Sequence, residues 1–236
     1  MAPRQVFITG ASSDIGLALC RRYLDAGWRV IAHYRTLRPE LEALAGDRLE
    51  PWPCDFAELG ALEAALAQPQ PFDACDALVH LAALMEPLPF ATFSSDDLLR
   101  TVAVNTVPGL LLMRRLGPGM ASRGFGRIVL GSSIGVKFGG GSDSFCYSFS
   151  KHALEFIPAA ARRWAADNVF VNAVRIGVTD TRFHDHLPGK SLADRVALIP
   201  ARRPASPSEM AETLFWLGSE VNGYTTGQVI AAAGGE

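Results

Sequence analysis

The sequence predicts an α/β fold with a doubly wound parallel sheet of about seven strands and helices on both faces. Three observations lead to this prediction. Short β-rich runs alternate with longer helical stretches, most of the short runs are continuously apolar, and a turn of small residues follows the first run. Continuously apolar runs suit parallel strands covered on both faces, whereas strands with one solvated face alternate.

The predicted elements follow one another along the chain. Strands are predicted at residues 6–9, 29–34, 49–53, 77–81, 127–132, 169–175 and 228–232. Helices are predicted at residues 15–26, 58–67, 96–116, 147–166 and 208–217. Pro158 predicts a bend after Leu154, because proline removes a helix hydrogen bond. A chain of 236 residues is long enough for one large core and short for two, so a single domain over 1–236 is expected.

Composition and charge exclude several classes of function. The formal net charge of −2 gives no electrostatic argument for nucleic acid or an acidic membrane surface. No apolar run reaches the roughly 18 residues of a membrane helix, and the segment before the first strand is too short for a signal peptide. The four cysteines form no metal-type pair; as reduced core thiols they predict a cytoplasmic protein. We therefore expect neither nucleic acid nor a membrane as a partner.

The first strand ends in a turn that suits a dinucleotide pyrophosphate. The turn reads TGASSDIG over residues 9–16 and passes into a helix. Small residues let backbone N–H groups approach phosphate, and the helix N-terminus adds partial positive charge, as in Rossmann-type folds. Asp14 is unfavourable there, because its carboxylate repels phosphate. It either tolerates a left-handed backbone or caps the helix, and the cap is favoured. The contacts are expected from Gly10, Ser12, Ser13, Asp14, Ile15 and Gly16.

The end of the second strand indicates which dinucleotide binds. Proteins that bind NAD(H) usually place an acidic residue about 20 residues beyond the turn, on the ribose 2′-hydroxyl. This chain has Arg35 there, with Arg38 nearby, and a guanidinium pairs well with a 2′-phosphate. NADP(H) is therefore favoured over NAD(H). The other interpretation makes Arg35 a solvated loop residue.

A serine pair and a Tyr/Lys pair are candidates for catalysis. The fifth strand ends in Ser132 and Ser133, where a central parallel strand faces the ligand crevice. Tyr147 and Lys151 stand four apart, so they share one face if the segment is helical. A neighbouring ammonium is expected to lower the pKa of the phenol from about 10 toward the working pH of a general acid–base. The spacing alone is also typical of a packed ring and a solvated amine.

Taken in order, these residues resemble the short-chain dehydrogenase/reductase family from Val6 to Gly235. Further matching positions are Asp55, Asn105, VNAV at 171–174, Gly177 with Thr181, TTGQ at 225–228, and Gly234 with Gly235. The resemblance implies an oxidoreductase that interconverts a carbonyl and an alcohol by hydride transfer, and with it a small-molecule partner. Two alternatives are a dehydratase or epimerase on the same scaffold, and a dinucleotide-sensing protein without turnover.

The resemblance also implies roles for individual residues. Tyr147 becomes the general acid in reduction, and Lys151 lowers its pKa and holds the nicotinamide ribose. Ser133, with Ser132 as the fallback, bonds the substrate oxygen. Asn105 holds a water that connects Lys151 to solvent. Further cofactor-binding residues are expected to be Asp55 at the adenine, Phe56, Leu81, Ala82, Ala83, Gly177, Val178, Thr179, and Thr181 at the nicotinamide carboxamide.

One departure from the family pattern and one local feature, a proline, affect what is expected of the site. His80-Leu81-Ala82-Ala83 stands where the family commonly has Asn-Asn-Ala-Gly, so cofactor binding is expected to be weaker or differently shaped, with His80 structural. Pro108 lies inside the third predicted helix and frees the carbonyl of Val104. That opening either admits a water beside Asn105 or is a mild kink filled by packing.

The substrate side and the assembly are less defined. The substrate is expected to lie among Ile134, Val136, Phe138, Phe145, Phe149 and a lid at residues 179–207. His184, Asp185 and His186 in that lid suggest a metal at first, but no third strong ligand is predictable, so no metal is expected. Relatives assemble through helices equivalent to 96–116 and 147–166, which implies a homotetramer or homodimer.

Overall fold

The structure of the chain, a computed structural model, describes residues 3–182 and 192–236. Seven strands form one sheet: β1 Gln5–Thr9, β2 Arg29–Tyr34, β3 Leu49–Pro53, β4 Ala77–His80, β5 Gly126–Ser133, β6 Val169–Ile176 and β7 Val229–Ala232. Their order is β3-β2-β1-β4-β5-β6-β7, and each neighbouring pair is parallel. The carboxyl ends of β1 and β4 therefore meet at the switch point, where such sheets bind ligands. The predicted Rossmann-type fold is confirmed.

The helices in the described residues are α1 Asp14–Asp25, α2 Pro39–Glu42, α3 Leu59–Leu66, α4 Ser95–Asn105, α5 Val107–Ser122, α6 Phe145–Ala153, α7 Ala159–Arg162, α8 Leu192–Leu198 and α9 Pro207–Gly218. Short 3-10 helices occupy Ile134–Phe138 and Arg163–Asp167. The sequence did not predict α2, which has only four residues, or α8, which lies in the stretch expected to be irregular. Across the described ranges, no helix combines the length and apolar character needed to cross a membrane.

Two apolar clusters cover the two faces of the sheet. Side chains of α1 and α9 pack on one face with Val6 and Ile8 of β1. Phe7 points to the other face, where it packs with side chains of α3 and α5. This alternation is what the two-residue period of a strand requires. The phenol of Tyr23 in α1 donates to the carbonyl oxygen of Gly218 at 2.9 Å, which ties the ends of α1 and α9 together.

The third predicted helix, over residues 96–116, is wrong as a single element. The structure ends α4 at Asn105 and starts α5 at Val107, with Thr106 between them. Pro108 lies in the first turn of α5, where its missing N–H costs no helix hydrogen bond. The hydroxyl of Thr106 donates to the carbonyl oxygen of Ser150 at 2.7 Å, which fixes the break against α6.

The fourth predicted helix, over residues 147–166, is also wrong as a single element. The bend expected from Pro158 is a complete interruption, because α6 ends at Ala153 and α7 starts at Ala159. Within the interruption the Glu155 carboxylate turns toward the sheet. It accepts a hydrogen bond from Ser132 Oγ at 2.7 Å and two from the Arg175 guanidinium at 2.8 Å each.

Candidate active site

The turn after β1 brings its backbone close to the loop after β4. Gly10 has a φ of 68°, and a β-carbon there would lie 2.8 Å from the backbone nitrogen of Ala82. A β-carbon at Gly16 would lie 2.3 Å from the Gly10 carbonyl oxygen. Both positions therefore need glycine. Ser13 caps α1, since its Oγ accepts from the Gly16 N–H at 3.0 Å.

Asp14 does not cap α1, and that prediction is wrong. Ser13 holds the extended backbone of a cap residue, and Asp14 is the first residue of the helix. The Asp14 carboxylate instead accepts hydrogen bonds from Arg182 and, at 3.4 Å, from Arg38. The carboxylate at the phosphate turn is thus paired with two guanidinium groups.

His80 connects the turn to the end of α4. Thr9 Oγ1 accepts from the N–H groups of Leu81 at 3.1 Å and Ala82 at 3.2 Å, so its own hydrogen goes to His80 Nδ1 at 2.8 Å. His80 Nε2 then donates to the Asn105 carbonyl oxygen at 3.0 Å. This tautomer follows because a carbonyl only accepts. Burial lowers the pKa of His80 to about 3, so the ring is neutral.

The ring of His80 fits against a position without a side chain. A β-carbon at Gly109 in α5 would lie 2.7 Å from Cδ2 of the imidazole. The structural role expected for His80 therefore has a physical basis in its two hydrogen bonds and this close packing.

His33 supports the turn from β2, and sequence reasoning missed it. Its Nδ1 accepts from the Gly10 N–H, and its Nε2 donates to the Cys54 carbonyl oxygen, both at 3.0 Å. The ring stacks on Phe56 with centroids 3.9 Å apart, and burial lowers the pKa of His33 to about 4. A histidine at a strand end beside the turn was the available signal.

Asn105 lies behind the cavity wall. Its Oδ1 accepts from the Leu84 N–H at 2.6 Å, and its Nδ2 donates to the Leu84 carbonyl oxygen and to Ser150 Oγ, both at 2.9 Å. The side chain therefore joins the loop after β4 to the residue before Lys151. Its expected role in holding a water stays a prediction.

The two serines at the end of β5 have different partners. Ser132 is buried and donates to Glu155. Ser133 lines the cavity, accepts from the Gly135 N–H at 3.2 Å and is hydrogen-bonded to the Tyr147 side chain. The structure thus places Ser133, rather than the fallback Ser132, beside Tyr147.

Burial controls the acid–base properties of Tyr147 and Lys151. Burial raises the pKa of Tyr147 to about 12, with the Ser133 hydrogen bond opposing it. Burial lowers the pKa of Lys151 to about 7, and its Nζ donates to the Gly131 carbonyl oxygen at 2.8 Å. The prediction that Lys151 lowers the pKa of Tyr147 is wrong for this structure, because desolvation of both groups outweighs their proximity. The phenol stays protonated at neutral pH, which suits a proton donor.

A cavity of about 700 Å³ joins the turn to the Tyr147 side chain. Of the predicted catalytic and cofactor-binding residues, Gly16 and Asn105 lie outside its lining. Those that line it are Gly10, Ser12, Ser13, Asp14, Ile15, Arg35, Asp55, Phe56, Leu81, Ala82, Ala83, Ser133, Tyr147, Lys151, Gly177, Val178, Thr179 and Thr181. Its volume, the close backbone approach at Gly10 and the helix N-terminus fit a dinucleotide.

Arg35 and Arg38 differ in their availability. Both line the cavity, and Arg35 is exposed. Arg38 donates to the Ser12 carbonyl oxygen at 2.7 Å and pairs with Asp14 and Glu40. Over residues 3–182 and 192–236, no hydrogen bond or ion pair engages the Arg35 guanidinium. Arg35 is therefore the more available of the two for a phosphate.

The substrate end of the cavity differs in part from expectation. Ile134 and Phe138 line it, as does Arg195 of α8, which lies within the predicted lid at residues 179–207. Met85 and Pro87 also line it, and sequence reasoning missed them, because no local motif marks these two residues of the loop after β4.

Val136, Phe145 and Phe149 are not part of the cavity lining. Phe145 packs instead against Phe90, with ring centroids 4.9 Å apart, and against Phe93 at 5.5 Å. The predictions at 184–186 lie outside the described residues. Within the ranges that the structure describes, no group of three or more His, Cys, Asp or Glu side chains could hold a metal ion.

A doubly wound sheet with a phosphate turn at its switch point defines a dinucleotide-binding class of protein, and comparison with known proteins identifies the family. Residues 10–236 match the family model described as enoyl-(acyl carrier protein) reductase. The chain is 31% identical to Nodulation protein G of Rhizobium sp. (strain N33), over 98% of this chain and 96% of that protein. It is 30% identical to acetoacetyl-CoA reductase of Rhizobium meliloti (strain 1021), over 99% of this chain and 98% of that protein.

A solved structure agrees with these relatives. The 3-oxoacyl (acyl-carrier-protein) reductase from Agrobacterium tumefaciens C58, with NADP bound, is 26% identical with a TM-score of 0.86, covering 99% of this chain and 94% of that chain. The chain belongs to the short-chain dehydrogenase/reductase family and is an oxidoreductase of that class.

Proposed function

We propose that the chain is an NADP(H)-dependent oxidoreductase that interconverts a carbonyl and an alcohol. The observation that carries the proposal is the hydrogen bond between Ser133 and Tyr147, in the cavity that also contains the phosphate turn. A nicotinamide dinucleotide, when bound, supplies the hydride. The chain itself must bind the substrate oxygen, exclude water and deliver a proton.

Three side chains perform those tasks in the proposed mechanism. Tyr147, protonated at neutral pH, donates its phenolic proton to the substrate oxygen as negative charge develops there. Ser133 hydrogen-bonds the same oxygen and keeps the phenol aligned. The protonated form of Lys151, which is 3% exposed, offsets the charge left on the phenolate oxygen. The buried setting strengthens this interaction, because little water screens it.

The preference for NADP(H) is supported by Arg35. Its guanidinium lies at the end of β2 on the cavity wall and is not engaged by the described residues. The Agrobacterium relative was solved with NADP bound. Asp55 and Phe56 are proposed for the adenine end, and Gly177 to Thr181 for the nicotinamide end.

A 3-oxoacyl thioester is the proposed substrate class. The relatives from Rhizobium meliloti and Agrobacterium tumefaciens are an acetoacetyl-CoA reductase and a 3-oxoacyl (acyl-carrier-protein) reductase. Met85, Pro87, Ile134 and Phe138 give the cavity an apolar wall for an acyl chain. The segment 179–207 is proposed to cover the substrate, although residues 183–191 lie outside the described part of the chain.

Assembly and location complete the proposal. Residues 1–236 are proposed as a single domain that forms a homotetramer or homodimer. The exposed apolar side chains of Leu99 in α4 and Phe149 in α6 support an assembly through these helices. Four free cysteines support a cytoplasmic location, where thiols stay reduced.

The proposal is tested by mixing the protein with NADPH and a carbonyl panel that includes acetoacetyl-CoA, and following the loss of NADPH absorbance. The variant Tyr147→Phe is expected to lose turnover by about a hundredfold or more while keeping NADPH affinity, because it lacks the transferable proton. Tyr224→Phe is the matched control, since Tyr224 is 93% exposed and away from the cavity.

Full turnover by Tyr147→Phe would show that the proton donor is wrong. Tight NADPH binding without turnover on any carbonyl would favour a dinucleotide-sensing protein.

A further inference from the structure

Asp14 presents a carboxylate at the place where a pyrophosphate is expected. It is the first residue of α1, its side chain is 18% exposed, and it lines the cavity. A carboxylate at a helix N-terminus stabilises the helix but opposes a bound anion. The proposed function leaves this residue without a role.

Asp14 binds a residue that comes from the opposite side of the cavity. Arg182 follows the segment after β6 and lines the cavity with Thr179 and Thr181. Its backbone N–H donates to Asp14 Oδ2 at 2.9 Å, its Nε donates to Oδ1 at 3.0 Å, and its Nη2 also reaches Oδ1. The contact therefore fixes both the backbone and the guanidinium of Arg182 beside the phosphate turn.

The surrounding charges balance. Arg38 also contacts Asp14, and both arginines contact Glu40, so two positive and two negative side chains form one cluster. The contacts from Arg182 to Glu40 are long, at 3.3 Å from Nη1 and from Nη2. A phosphate oxygen can replace such contacts readily, because guanidinium N–H groups match phosphate geometry.

We infer that Asp14 is a positioning residue that holds Arg182 over the phosphate turn as a ligand for the dinucleotide pyrophosphate. The inference rests on the proposed function, because it assumes that a dinucleotide occupies this cavity. Asp14 binds the Nε–Nη2 edge of the guanidinium, and the phosphate replaces the long contact with Glu40 at Nη1. The carboxylate then strengthens phosphate binding through Arg182, although by itself it would repel the phosphate.

The sign of one substitution separates these two effects. If Asp14 acts through Arg182, Asp14→Asn frees the guanidinium and weakens NADPH binding. If repulsion dominates, Asp14→Asn tightens NADPH binding. Asp25→Asn is the matched control, because it removes the same charge from the exposed end of the same helix.

The experiment is a fluorescence titration of the full chain with NADPH, together with the dissociation rate by stopped flow. Asp14→Asn and Arg182→Ala are each expected to raise the Kd about tenfold, mainly through faster dissociation. The double variant is expected to be no weaker than either single variant, because one interaction is removed. Arg182 is 53% exposed, so its truncation does not disturb the core.

A second ligand localises the effect. The probe 2′-AMP carries a 2′-phosphate but no pyrophosphate, so it is expected to bind the native chain and Asp14→Asn equally. Equal weakening of 2′-AMP and NADPH would overturn the inference, since Asp14 would then act through Arg38 at the 2′-phosphate. An unchanged or lower Kd for NADPH in Asp14→Asn would also overturn it. Failure of the native chain to bind NADPH would overturn the proposed function as well.

Discussion

At the scale of single residues, desolvation sets the chemistry of the candidate site. Tyr147 and Lys151 stand one helical turn apart, and the amine lies 5.9 Å from the centroid of the phenol ring. Sequence spacing suggests that the ammonium acidifies the phenol. Burial instead moves the two pKa values apart, raising that of Tyr147 to about 12 and lowering that of Lys151 to about 7, and both shifts favour the neutral groups.

This arrangement predicts the pH dependence of carbonyl reduction. The pKa of Lys151 is about 7, so its ammonium loses the proton as pH rises through neutrality, while Tyr147 stays protonated. We expect kcat/KM with NADPH to be flat below about pH 7 and to fall about tenfold per pH unit above it. Steady-state rates across the pH range provide the measurement.

The control for this profile is Lys137→Arg, since Lys137 is exposed and outside the cavity lining. It is expected to leave the break in the same place. A profile without a break between about pH 6 and pH 9 would contradict the assignment of the charge on Lys151 to the reaction.

The candidate residues could be predicted because their types and order are local properties of the chain. Ser133, Tyr147 and Lys151 fall in one short stretch, and the structure brings them to one cavity. The partners of Asp14 could not be predicted, because Arg182 lies 168 residues away and meets it only through the sheet topology. The directions of the pKa shifts of Tyr147 and Lys151 could not be predicted either, because the burial that causes them is set by the whole fold.

At the scale of elements, the interruption after α6 is the main departure from the sequence prediction. Proline at 158 explains why the helix cannot continue, but it does not explain the turn of Glu155 toward the sheet. That turn follows from Ser132 and Arg175, on two adjacent strands, which together provide three hydrogen bonds to one carboxylate that is 6% exposed. Contacts between distant elements therefore decide the end of the helix.

Removing the charge of Glu155 is expected to affect both stability and turnover. Glu155→Gln leaves the Arg175 guanidinium without its anion, so the free energy of unfolding falls by about 1–3 kcal/mol. Because Ser132 precedes Ser133, we expect kcat to fall roughly tenfold through loss of alignment, with NADPH affinity unchanged. Urea unfolding and steady-state kinetics provide the measurements.

Glu212→Gln is the comparison for Glu155→Gln, because it breaks the exposed pair of Arg22 with Glu212. Its effect on the free energy of unfolding is expected to stay below about 1 kcal/mol. Equal losses in the two variants would show that the contacts of Glu155 add nothing beyond those of a surface pair.

At the scale of the whole molecule, two buried neutral histidines make the fold sensitive to acid. The folded pKa values are about 4 for His33 and about 3 for His80, below the value near 6.5 expected when unfolded. Between the folded pKa values and the unfolded value near 6.5, the unfolded chain binds more protons than the folded chain does. The free energy of unfolding therefore falls as pH falls through this range. Each histidine contributes up to about 1.4 kcal/mol per pH unit in its window.

A variant isolates the contribution of one histidine. His80→Asn is expected to lower stability near neutral pH, by about 1–3 kcal/mol, through lost buried hydrogen bonds. Its stability is expected to fall less steeply than that of the native chain between about pH 6 and pH 4. His152→Asn is the control, since His152 is exposed. The free energy of unfolding is measured by urea unfolding at each pH. If it fell equally steeply with pH in His80→Asn and in the native chain, His80 would not contribute to the acid sensitivity.

The imidazole of His80 and the bare α-carbon of Gly109 occupy adjoining space, with no room for one more carbon between them. A side chain at position 109 therefore requires a residue smaller than histidine at position 80. Among homologous chains, we expect a bulky residue at the position of Gly109 in α5 to coincide with a residue smaller than histidine at the position of His80, the last residue of β4. A selection experiment that randomises both codons together would recover such compensating pairs.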